Sequence, residues 1–134
     1  MFANLNECKK YCQENGIKAI DFKLINLAGR WHHLTIPVER LDQQILDDGI
    51  GFDGSSYGFL TLEKSDMVFL PDFSSAFVDP FCEIPTLSII SNIYRLDGNK
   101  MVRFEGDPAL YCGESGKILK DYRHCRSDLL WPGI

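Results

Sequence analysis

Between Ile17 and Ile36 the side chains alternate in character over two stretches separated by a turn. Ile20, Phe22 and Leu24 occupy one face of the first stretch and Asp21, Lys23 and Ile25 the other. Asn26-Leu27-Ala28-Gly29 then reverses the chain before Arg30 to Ile36 resumes. A period of two sends successive side chains to opposite faces of a strand, so this segment is a hairpin with one apolar face that the rest of the chain must cover.

The flanks supply candidates for that cover. Asn4 followed by Glu7 is a capping-box pattern, and Leu5, Cys8 and Cys12 recur at helical spacing, which predicts a short helix ending near Asn15-Gly16. After the hairpin, Pro37 fits a first helical position. Val38, Leu41, Ile45 and Leu46 line one side of a predicted second helix that stops at Asp47-Asp48-Gly49. Gly51 to Gly58 is rich in turn formers and reads as a loop, Asp66 to Pro71 as a strand. Thr86 to Tyr94 and Lys100 to Phe104 are extended runs around Leu96-Asp97-Gly98-Asn99, where Asp-Gly favours a tight connection. The expected architecture is α+β: a mixed sheet with one helix packed across it, a short helix before it and an irregular tail after it.

With 134 residues, 45% of them hydrophobic, the chain has material for one core, hence one domain plus a tail. A formal charge of −5 repels phosphate backbones and anionic lipid, which argues against nucleic acid or a membrane as partner. No apolar run approaches the roughly 20 residues of a spanning helix, and Met1 is not followed by a secretory leader pattern. A cytoplasmic protein is expected. Cys8, Cys12, Cys82, Cys112 and Cys125 lack paired-motif spacing, so reduced thiols are expected, and Cys8 and Cys12 with His32 and His33 make a poor zinc set.

Among the polar clusters, Asp53-Gly54-Ser55-Ser56 carries the most chemistry. Glycine permits a sharp bend and close approach, two hydroxyls donate or accept, and Asp53 adds a negative charge, a combination suited to a small cation. Taken by themselves, these four residues read more readily as a surface turn with a capping Asp.

Their surroundings carry a resemblance. Phe52-Asp53-Gly54-Ser55-Ser56, Ser65-Asp66-Met67-Val68 and Pro71-Asp72, in that order and spacing, resemble the signature of the glutamine synthetase amino-terminal domain. Asp21 with Asn26 and Gly29, then Leu34-Thr35-Ile36-Pro37, resembles that family's first hairpin, and Gly106-Asp107-Pro108 its exit into the catalytic domain. The resemblance covers residues 17 to 108 and implies a β-grasp fold at 1–108. It implies a ligase that uses ATP and Mg2+ or Mn2+ to convert glutamate to γ-glutamyl phosphate, which ammonia attacks, in a ring of identical subunits. The amino-terminal loop of one subunit then closes over the catalytic barrel of the next. Carried over, Asp53 is the catalytic residue that binds ammonium and takes its proton, and Ser56 is a substrate-binding residue. Family members often have a Trp shortly after the serine pair, where this chain has Tyr57, Gly58 and Phe59. The family's metal and nucleotide ligands belong to the catalytic domain, so this chain alone is expected to bind no cofactor and to be inactive.

After Pro108 the resemblance ends. Residues 109–134 have no clear period and lack the family's Arg after Asp-Pro. Read one nucleotide later from Ala109, synonymous codons allow a helical linker ending in Gly-Pro-Glu, the family's entry to its catalytic domain. Over Asp121-Tyr122-Arg123-His124-Cys125, for example, the offset frame can encode Thr-Thr-Gly-Ile-Ala. The expectation is a frameshift near the Pro108 codon and a non-native or disordered tail, against a naturally divergent end. Two other functions fit less of the chain. A free-standing β-grasp binding module would have no need of the Asp-Gly-Ser-Ser loop, and a hydrolase built on Asp53 and Ser56 would need a positioned histidine that His32 and His33, inside the hairpin, do not offer by spacing.

Overall fold

The computed structural model describes residues 2–57, 66–98 and 100–111. Helix α1 (Leu5–Glu14) starts where the Asn4 side chain accepts the Glu7 N–H at 3.0 Å, and the Glu7 carboxylate reaches back one residue beyond the cap to accept the Ala3 N–H at 2.9 Å, a variant of the capping box. It stops at Gly16, whose φ of +64° suits glycine, with Ile17 N–H bonded to the Cys12 carbonyl at 2.9 Å and Gly16 N–H to that of Gln13 at 3.4 Å. These two bonds are a Schellman closure, and they deliver the chain into the sheet. Leu5, Cys8 and Cys12 face the core.

Strands β1 (Ala19–Ile25) and β2 (Trp31–Pro37) form the predicted hairpin, in a register that sets Ile20 against Ile36, Phe22 against Leu34 and Leu24 against His32. The helix expected after Pro37 is not continuous. A 3-10 turn at Val38–Arg40 gives way at Leu41, and the five-residue α2 (Gln43–Asp47) starts afresh with the Asp42 side chain accepting the Ile45 N–H at 3.1 Å. A capping side chain needs an extended backbone, and Asp42 has φ −132°, ψ 179°, so the helical register is interrupted there. Leu41 is fully buried, whereas no residue of α2 is.

Strands β3 (Ile50–Asp53), β4 (Asp66–Pro71), β5 (Phe77–Val78), β6 (Thr86–Asp97) and β7 (Lys100–Arg103) complete the sheet. The main order is β2-β1-β6-β4-β3, with β1 and β6 parallel and the other pairs antiparallel. The first half of the long β6 lies between β1 and β5, the second half between β4 and β7. β3 corrects the reading of Gly51 onward as loop, and β5 was also not foreseen.

One apolar cluster holds α1 to this sheet: Leu5, Cys8 and Cys12 from the helix meet Ile20, Phe22, Leu24, Met67, Phe69, Leu87, Ile89 and Ile93 from the strands. Burial of such side chains is the main favourable term in folding, at about 1.5–3 kcal/mol for each large one. At the far end Asp107, 1% exposed, accepts the Ile93 N–H and the Arg103 guanidinium, each at 2.9 Å, and the Ala109 N–H at 3.0 Å. This pins residues 104–107 to β6 and caps a helical turn at 108–111. The remainder of the expected tail, 112–134, lies outside the described residues.

Candidate functional site

β3 is an edge strand, and its period of two decides what it presents. Phe52 turns inward against Phe69, ring centroids 5.7 Å apart, so Gly51 and Asp53 on either side are exposed. Beyond Asp53 the chain folds back on that carboxylate. Asp53 Oδ1 accepts the Ser55 N–H at 2.9 Å and the Ser55 hydroxyl at 2.7 Å, and Oδ2 accepts the Ser56 hydroxyl at 3.1 Å. The first of these is an Asx turn, in which the side chain stands in for backbone. Asp53 is thus oriented by three donors and still reaches solvent. The β3–β4 register sets Asp66 directly opposite Asp53. Directly paired residues of an antiparallel ladder share a face, so the two acidic residues point to the same side of the sheet.

The other end of the loop is tied to the hairpin. Tyr57 places its carbonyl 3.2 Å from the Asn26 side-chain nitrogen, and its ring meets those of His32 at 4.7 Å and Phe52 at 5.3 Å. Asn26 Nδ2 is also 3.0 Å from His32 Nε2.

A second polar cluster lies on the sheet face opposite the core. Asp21 receives the Thr35 hydroxyl at 2.7 Å, His33 Nδ1 at 2.8 Å and Lys23 at 3.2 Å, and Lys23 continues to Asp79 at 3.3 Å. Burial pushes the Asp21 carboxyl up, but the donors from Thr35, His33 and Lys23 outweigh it and hold the group below the ordinary carboxylate value. This network buttresses the hairpin.

The imagined zinc set does not assemble. Cys8 and Cys12 are in the core, where their mutual hydrogen bond, with burial added, drives the Cys8 thiol far above its usual range. His32 and His33 occupy opposite faces of β2, and among the described residues no three His, Cys, Asp or Glu side chains converge as metal ligands. The hydrolase reading loses its base as well, since His32 Nε2 meets Asn26 and His33 Nδ1 meets Asp21, while Ser56 donates to Asp53. A cleft of about 430 Å³ opens between α1 and the β2–α2 connection, lined by Lys9, Cys12, Lys18 and Val38 among others, and neither Asp53 nor Ser56 borders it.

The model of the glutamine synthetase β-grasp domain matches residues 16–96. The chain belongs to the glutamine synthetase family. Its Asp53 loop and its first hairpin both lie within the matched segment. The chain is 42% identical over 88 residues to the glutamine synthetase of a Nostoc species, covering 65% of this chain and 19% of that one. It is 33% identical over 121 residues to the 3-hydroxylaminophenol mutase of Cupriavidus pinatubonensis, covering 90% and 25%. The fold matches a cryo-EM structure of Plasmodium falciparum glutamine synthetase with a TM-score of 0.74 at 22% identity, over 90% of this chain and 23% of that chain. The chain therefore spans about a fifth to a quarter of the length of these relatives.

Within this glutamine synthetase domain the structure brings Asp53 and Ser56 together, as expected for one loop. The Asp66 partnership and the tie from Asn26 and His32 to Tyr57 were not foreseen. The first follows from a β3–β4 register that is visible only once β3 is recognised. The second joins positions 31 apart through a backbone carbonyl, which carries no side-chain signal. No helix among the described residues is long and apolar enough to cross a membrane.

Proposed function

We propose that this domain supplies one wall of an ammonium site to a neighbouring subunit in a ring-forming, cytoplasmic glutamine synthetase. Asp53 binds ammonium and accepts its proton, and Ser56 keeps the carboxylate oriented and lines the substrate path. The observation that carries this reading is the Asp53 carboxylate, held by Ser55 and Ser56 yet exposed at the end of an edge strand, with Asp66 across from it.

The physical basis is electrostatic. A carboxylate and an ammonium ion 4 Å apart attract by about 1 kcal/mol in water and about 4 kcal/mol at the effective dielectric of a protein surface, so a neighbouring subunit that closes over Asp53 strengthens ammonium binding. Ammonium has no free lone pair. Transfer of one proton to Asp53 leaves ammonia, whose lone pair attacks the acyl carbon of γ-glutamyl phosphate, and the C–O bond to phosphate breaks as the amide forms, the nitrogen's second proton leaving with the phosphate as hydrogen phosphate.

ATP, divalent metal and glutamate are assigned to the family's catalytic domain, and among the described residues no three His, Cys, Asp or Glu side chains converge as metal ligands. On this reading the chain alone forms no glutamine.

A chimera tests the assignment. Residues 16–96 replace the matching segment of the Nostoc enzyme, and Asp53→Ala is introduced. Ammonium-dependent turnover should fall by about a hundred-fold, the lower end of the range for a lost general base, while formation of γ-glutamyl phosphate falls less. Unchanged ammonium kinetics in that variant would refute the role of Asp53.

A further inference from the structure

We propose that Asn26 is a positioning residue for the Asp53 loop, acting from the β1–β2 turn through Tyr57 and His32. For its functional consequence this rests on the reading of that loop as an ammonium wall, but the linkage itself stands on geometry alone.

The Asn26 amide is used at all four of its hydrogen-bonding positions. Its Oδ1 accepts the Ala28 N–H at 3.1 Å and the Arg30 N–H at 3.0 Å, which shapes the hairpin turn. Its Nδ2 donates to the Tyr57 carbonyl at 3.2 Å and to His32 Nε2 at 3.0 Å. An amide has two donors and one acceptor oxygen with two lone pairs, so turning it over would set donor against donor and break the set. For Nε2 to accept, His32 must be neutral with its proton on Nδ1, and burial with the nearby Arg30 charge favours that neutral form.

The loop is therefore fixed at both ends. β3–β4 pairing holds Asp53 and Asn26 holds Tyr57, whose ring is set between His32 and Phe52. With only Gly54, Ser55 and Ser56 between two anchored residues, the direction of the Asp53 carboxylate follows from where the hairpin turn places Tyr57.

Asn26→Asp separates the two jobs, since a carboxylate still accepts from Ala28 and Arg30 but donates to neither Tyr57 nor His32. Hydrogen exchange of the 134-residue chain should show the Ser55 and Ser56 amides exchanging about ten-fold faster or more, with Ala28 and Arg30 unchanged. In the same variant the imidazole 15N signals should show His32 Nε2 gaining a proton at higher pH than in the parent, a shift that a general loss of stability does not produce. His32→Leu provides an independent route: it removes the acceptor, leaves the turn intact, and should release the same loop amides. Loop exchange unchanged in both variants overturns the proposal. Because this readout needs no ammonium, an ineffective Asp53→Ala would remove the catalytic role while leaving the latch in place, and unaltered loop exchange would do the reverse.

Discussion

At the scale of single residues, the burial of each carboxylate separates support from function. Asp21 is 5% exposed and fully engaged by Thr35, His33 and Lys23, whereas Asp53 is oriented by its own loop and left open to solvent. The backbone N–H of Phe81, together with Lys23 and Ser88, outweighs burial and holds Asp79 below its ordinary value too. Burial opposes the charge of Lys23, but its two carboxylate partners outweigh this and raise it. A carboxyl whose pKa is depressed by folding contributes stability above its unfolded value and loses it as pH falls through the folded one. The raised Lys23 contributes below its unfolded value and loses that contribution only as pH rises past it. The thermal midpoint should therefore stay level between the ordinary values of 3.8 and 10.5 with respect to this network, and drop as pH falls below 3.8. Asp21→Asn should shrink that acid-side drop in a pH series of melting curves. An unaltered acid limb would show that the network contributes nothing to folding.

At the scale of elements, the join between α2 and β3 decides how Asp53 is presented. Gly49 has φ +73°, and a Cβ there would meet the Phe69 carbonyl at 2.9 Å and the side chains of Val68 and Leu70 at 3.3 Å. Gly29, at the hairpin turn, has a similar φ of +76° with open space around it. Gly29→Ala should cost about 1–2 kcal/mol from the left-handed backbone alone, and Gly49→Ala more, because backbone cannot move aside as a flexible side chain does. Equal losses in denaturant melts of the two variants would mean that the crowding at Gly49 is relieved without cost. These elements differ in how far the sequence reveals them. The β1–β2 hairpin and α1 are legible because alternation, the capping box and Gly16 all act locally. α2 is misread as one long helix because Val38, Leu41 and Ile45 keep a helical period across a break that only Asp42 enforces. β3 has four residues, one of them glycine, and is a strand only because β4 pairs with it, so its pattern without that partner is that of a loop. The Asp53 loop is legible as a site by its residue types, while the latch that aims it depends on tertiary contact.

At the scale of the whole molecule, a single β-grasp domain offers a site with one side. Its edge strand β3 presents Asp53 at an exposed position, and Phe81, Leu27, Ile84 and Trp31 leave large apolar surface exposed elsewhere. Relatives matched over only about a fifth to a quarter of their own length carry this same domain, one of them named a mutase, so family membership fixes the fold and leaves the use of the loop to experiment. The central claim is that Asp53 of one subunit serves the catalytic domain of the next, and mixing subunits tests it most directly. Chimeric subunits carrying Asp53→Ala are co-assembled in equal amounts with subunits that keep Asp53 but have an inactivated catalytic domain. Random placement around a ring sets an intact loop against an intact catalytic domain at about a quarter of the interfaces. The account predicts ammonium-dependent glutamine synthesis in the mixture at about that fraction of the parent rate, although each variant alone is nearly inactive. A mixture no more active than its two components would contradict it.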